Sequence, residues 1–194
     1  ADYAWNMDAY KSDASWRRAV RYLMPGHAAA LQVFASHNSD LGGNEHDFRR
    51  EESEQIRPAL ERLLDAYCRE GKREVAAASA VTEECERMIA SADLLLASDE
   101  NPALIKEITP WLMQFKLLGE YGREVLCMLA AQCDGKKTEL EKAASHAKAL
   151  QVLMKKIDAT YNQNGFQPGV KTGSCHLKPA FDRLYQEVVQ RTGK

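Results

Sequence analysis

The sequence predicts an all-α fold, an antiparallel bundle of about six helices. Apolar residues recur at helical spacing almost without interruption from Ser12 onward, and no stretch shows the strict alternation of a half-buried strand. The longer apolar stripes leave their other faces charged, as in Glu139-Leu140-Glu141-Lys142, which is the pattern of helices that share one core and meet water outside it. With 194 residues, 45% of them hydrophobic and 28% charged, the chain is long enough to close such a core.

Ser12 or Asp13 can cap the first helix, whose Trp16, Ala19, Val20 and Leu23 repeat at i, i+3, i+4 and i+7 until Pro25-Gly26 interrupts. The stripe resumes with His27, Leu31, Phe34 and Ala35. From Asn38 to Asp47, Asn38-Ser39-Asp40 and Gly42-Gly43-Asn44 supply turn chemistry, so an ordered loop is expected there. Ile56, Leu60, Leu63, Leu64 and Tyr67 form the next stripe, stopped at Gly71. Val81, Cys85, Met88, Ile89, Ala92 and Leu96 mark a long third element.

Asn101-Pro102 is a strong helix start, because Asn caps and Pro loses no hydrogen bond at the first helical position. Leu104, Ile105, Ile108, Leu112, Phe115, Val125, Leu126 and Leu129 follow. Pro110 is expected to kink this helix, and Gly119 and Gly122 to let a neighbouring backbone approach. A fifth stripe runs Leu140, Ala144, Ala147, Leu150, Met154 and Ile157. Asn162 to Ser174 is expected to be a loop, and Leu177, Phe181, Leu184 and Val188 line a final helix. There is no convincing internal repeat.

With 26 basic and 28 acidic side chains the formal charge is only -2, and no long run of one sign occurs. Neither nucleic acid nor membrane is an expected partner. No stretch approaches the roughly 18 apolar residues of a spanning helix. Ala1 to Asn6 have neither the basic nor the apolar region of a signal peptide, and the start is expected to be cut from something longer. The five cysteines, Cys68, Cys85, Cys127, Cys133 and Cys175, include no Cys-x-x-Cys pair and mostly sit among apolar neighbours, as small core residues do.

Reactive constellations are scarce. A glycosidase of the usual kind needs two carboxyl groups across a sugar ring, one kept protonated by its surroundings. The adjacent pairs Glu51-Glu52, Glu83-Glu84 and Asp99-Glu100 point in different directions from a helix and are expected to be solvated surface charge. His37, His46, Asp40 and Asp47 share the first loop but match no metal-ligand spacing, so their polar side chains are expected to satisfy the loop's own backbone. Cys175 beside His176 is no catalytic pair, because adjacent residues rarely face one another. Tyr3, Trp5, Asn6 and Tyr10 form an aromatic and amide cluster that suits stacking on a sugar and equally suits an aromatic staple under the first helix.

Several stretches together resemble one family. They are Ala1-Asp2-Tyr3-Ala4-Trp5-Asn6 leading into Ser15-Trp16; His37-Asn38-Ser39-Asp40-Leu41-Gly42 continuing to Arg49-Arg50-Glu51-Glu52-Ser53; Glu107-Ile108-Thr109-Pro110-Trp111 with Gln114-Phe115-Lys116-Leu117; and Asn162-Gln163-Asn164 with Gln167-Pro168-Gly169-Val170-Lys171-Thr172. In order and spacing they are similar to the helical segment that follows the catalytic barrel in bacterial O-GlcNAcase and hyaluronidase-type β-N-acetylglucosaminidases.

The resemblance implies that residues 1–11 are the exit segment from a (β/α)8 catalytic barrel outside this chain, and residues 12–194 the helical bundle domain. Catalysis in that family is retaining and substrate-assisted, with the acetamido oxygen of the sugar as nucleophile and a neighbouring Asp-Asp pair in the barrel. No Asp-Asp occurs here, so the chain alone is expected to be no enzyme and to carry no catalytic residue, metal or cofactor. The implied role is to buttress the barrel of the same polypeptide and to form part of the groove for a glycoprotein or glycan substrate. Because active sites of such barrels lie at the carboxyl ends of the strands, Tyr3, Trp5 and Asn6 are the expected rim of that groove. A secreted or periplasmic location in a bacterium is implied as well. The rival expectation is a protein- or glycan-binding or self-associating helical module.

Overall fold

Capping chemistry sets several of the helix borders. The computed structural model describes residues 12–37, 50–136, 138–163 and 177–192. These form seven α-helices and no strand: α1 Ser12–Leu23, α2 Ala28–His37, α3 Arg50–Glu70, α4 Val75–Leu96, α5 Pro102–Asp134, α6 Leu140–Gln163 and α7 Lys178–Thr192. The all-α expectation holds. Seven helices replace about six because Pro25 and Gly26 turn the first stripe into α1, a short 3-10 turn Pro25–His27 and α2.

Asn101 opens α5 as expected, its side-chain oxygen accepting from Leu104 N at 3.2 Å with Pro102 in the first turn. Glu74 opens α4 in the same way through Ala77 N at 2.5 Å. Gly71 ends α3 with φ 66, a conformation that costs glycine little and other residues more. Helix α5 continues through Pro110 to Asp134 without a break.

The core is continuous and α5 lies at its centre, packed on α4, α6 and α7. Helices α4 and α5 run antiparallel, because Arg123 pairs with Glu86 at one end and Lys116 with Asp93 further along. Cys85, Met88 and Ala92 of α4 are buried against the α5 side chains of the same core, among them Leu112, Phe115, Leu118 and Val125. A Cβ on Gly122 would stand 2.5 Å from the Phe181 ring and 2.7 Å from Cys85 Sγ, and one on Gly119 2.9 Å from the Cys85 carbonyl. These two glycines therefore let α4, α5 and α7 meet at one point, as the sequence led us to expect.

The predicted stripes of α3 and α7 are buried residue for residue: Ile56, Leu60, Leu63, Leu64 and Tyr67 in one, Leu177, Phe181, Leu184 and Val188 in the other. Helices α1 and α6 depart from this. In α6 Leu150 is buried, but Leu140, Ala144, Ala147 and Met154 are half-buried. In α1 Val20 is buried, but Ala19 and Leu23 are exposed, because α1 packs only on the 3-10 turn and α2 among its principal neighbours.

Candidate functional site

The expected groove rim, Tyr3, Trp5 and Asn6, lies outside the described residues, as do Tyr10, Asp40, His46, Asp47, Cys175 and His176. The side chains of Glu51 and Glu52 lie outside them too. Five of the singled-out residues remain to be placed: His37, Glu83, Glu84, Asp99 and Glu100, of which Asp99 is exposed, as expected.

His37 is not a polar loop residue. It closes α2 and is buried, with its ring 5.5 Å from that of Phe115 and Nε2 only 2.5 Å from Glu84 Oε1. The expectation that Glu83-Glu84 is solvated therefore divides: Glu83 is exposed, while the Glu84 side chain retains 10% of its exposure and bonds His37 through one oxygen and Arg87 through the other. The physical reason is the helical period, which places Glu84 three residues after Val81 and four before Met88, inside the buried stripe. His37 likewise follows Phe34 by three. That spacing was the signal available in the sequence for both.

Burial alone pushes the Glu84 carboxyl up, but the hydrogen bond and charge of His37 and the Arg87 guanidinium outweigh it and hold the group below its ordinary value. A glycosidase acid must be tuned the opposite way, upward, to carry a proton near neutral pH. Glu84 is consequently a structural carboxylate.

A second cluster joins the 3-10 turn to the start of α5. Glu100 accepts from Gly26 N at 2.7 Å and meets His27 Nδ1 at 2.9 Å, while Ser98 Oγ lies 3.3 Å from that same Nδ1. Hydroxyl, imidazole and carboxylate are together, yet both partners address one ring nitrogen. A proton relay needs the hydroxyl on one nitrogen and the carboxylate on the other, so this trio cannot activate Ser98 as a nucleophile. The Gly26 amide and then His27 hold the Glu100 carboxyl below its ordinary value.

The third cluster fastens α7. Tyr121 donates its hydroxyl to Asp182 Oδ1 at 2.9 Å, and Lys178 pairs with the other oxygen. Burial and the Asp182 charge push the Tyr121 phenol up, away from any acid-base role at neutral pH. Cys85 is also unsuited to attack, because burial pushes its thiol up to about 12. Among the described residues no three His, Cys, Asp or Glu side chains gather to hold a metal.

What emerges is a helical domain whose described ionisable groups tie helices together rather than converge on a reaction centre. A family model described as the bacterial GH84 post-catalytic domain matches residues 52–185, and the chain belongs to that family. Its fold is that of parts of two solved structures. One is CpGH84B, with TM-score 0.69 and 19% identity over 94% of this chain and 29% of that one. The other is CpGH84D, with TM-score 0.68 and 23% identity over 97% of this chain and 31% of that one. The chain thus spans about three tenths of the length of either. No helix among the described residues is long and apolar enough to cross a membrane.

Proposed function

We propose that this chain is the non-catalytic helical domain of a GH84 glycoside hydrolase, a retaining β-N-acetylglucosaminidase whose barrel lies in the same polypeptide. The family match over residues 52–185 carries this reading. The pairing of Glu84 and Glu100 supports it, since both carboxyls are held below their ordinary value, opposite to the raised, proton-carrying state of a glycosidase acid. In this reading residues 1–11 leave the barrel, residues 12–194 buttress it, and Tyr3, Trp5 and Asn6 edge the groove for a glycoprotein or glycan. A secreted or periplasmic location belongs to the same proposal.

An aryl N-acetylglucosaminide offered to this chain and to the full-length parent tests the division of labour. The parent should turn it over and the chain should not; turnover by the chain alone would overturn the assignment. In the parent, Trp5→Ala should raise KM for a glycopeptide more than for the small aryl substrate if Trp5 edges the groove.

A binding module is the second reading, favoured by exposed apolar side chains such as Tyr22 at 87%, Leu94 at 55% and Val152 at 54%. Glycopeptide titration followed by Trp5 and Trp16 fluorescence separates the two. A saturable change in the isolated chain favours the module, and a flat response favours the buttress.

A further inference from the structure

The space filled by His37 and Glu84 does not call for charge. The His37 ring lies against Phe115, which itself meets Phe34 edge-on at 5.5 Å, so another aromatic ring would fit the same place. Glu84 is flanked on α4 by the buried Val81, Cys85 and Met88. Taking an ion pair out of water costs much of what the attraction returns, and apolar residues of like volume often serve stability equally well.

What an apolar pair lacks is direction. Helix α2 has the sequence Ala-Ala-Ala-Leu-Gln-Val-Phe-Ala-Ser-His, ten residues dominated by small side chains, so few knobs fix its position along α4. His37 Nε2 can meet Glu84 Oε1 at one alignment only, and Arg87 on the second carboxylate oxygen fixes which way that carboxylate faces. At the other end of α2, the His27 and Glu100 pair joins the same neighbourhood but keeps 30% and 24% of its side-chain exposure, where water competes for every bond.

We infer that the buried His37 and Glu84, with the exposed Arg87 on the second carboxylate oxygen, form a register lock: it sets where α2 lies along α4 and supplies alignment rather than net stability. The lock belongs to the bundle itself and does not depend on the function proposed above.

The test is the double variant His37→Phe/Glu84→Met in this chain, with Glu84→Gln beside it. The double variant should melt at or above the unsubstituted chain. Amides of residues 30–37 should nevertheless lose exchange protection about tenfold or more and give more than one set of resonances, because α2 then samples several alignments. Glu84→Gln keeps a directed hydrogen bond without the charge, so it should melt lower while retaining one set. A double variant that melts well below the unsubstituted chain, or that keeps a single sharp set with unchanged protection, overturns the lock. So does a Glu84→Gln variant with multiple sets.

Discussion

Glu84 and Cys85 are neighbours on α4 and both are buried, yet they reach the interior by opposite means. Glu84 turns toward α2, where its charge must be met by His37 and Arg87. Cys85 turns toward α5, where nothing polar is required but two side chains have been deleted, at Gly119 and Gly122, to admit it. One seam is made by partner groups that fit at a single alignment, the other by close approach of backbones. The polar seam should fail when a partner is removed, and the apolar seam when an atom is added.

Glu84→Ala is expected to have the largest effect, a loss of about 3 kcal/mol in urea unfolding, because His37 is left buried without its carboxylate. A loss below about 1 kcal/mol would erase the contrast between the seams. Gly122→Ala comes next, at about 2 kcal/mol, since the new methyl would overlap the fully buried Phe181 ring and Cys85 Sγ. The helix-propensity gain of alanine offsets part of this, so an unchanged midpoint would show that the three helices can separate freely.

Acid should discriminate between the seams more gently. A carboxyl held below its unfolded value stabilises the fold above that value, and the stability is lost as pH falls through the folded one. For Glu84 the window begins below the ordinary 4.5, and Glu84→Gln should remove its share of the acid-induced loss while Gly122→Ala leaves that share intact. The smallest effect is expected from Glu100→Gln. The shift in melting temperature should be slight and should disappear in molar salt, since that pair sits in water, whereas the Glu84 effect should survive salt.

Most of the fold was legible because burial follows the helical period: the stripes of α3 and α7 were drawn from spacing alone and lie in the core, as does that of α4 apart from the half-buried Ile89 and Leu96. Asn101-Pro102 and Gly71 announced their helix borders for equally local reasons. The polar seam was not legible as such, since the sequence does not say that an acid at a stripe position will find an imidazole 47 residues away. Glu84 and His37 each occupied a core position, and noticing both would have suggested that they meet. Helix α1 was overread for the converse reason. Its period is sound, but Leu23 has little to pack against, and spacing cannot say how many neighbours a helix will have.

Arg191 lies six residues past the end of the family match, yet its two terminal nitrogens donate to the carbonyls of Tyr67 at 2.8 Å and Cys68 at 2.6 Å, with the guanidinium 4.7 Å above the Tyr67 ring. Anyone excising this unit at residue 185 would remove the cation that closes the last turn of a helix more than a hundred residues upstream. Safe borders for dissecting such helical units are therefore set by which carbonyls are left uncovered, and the border of the family match falls inside the bundle.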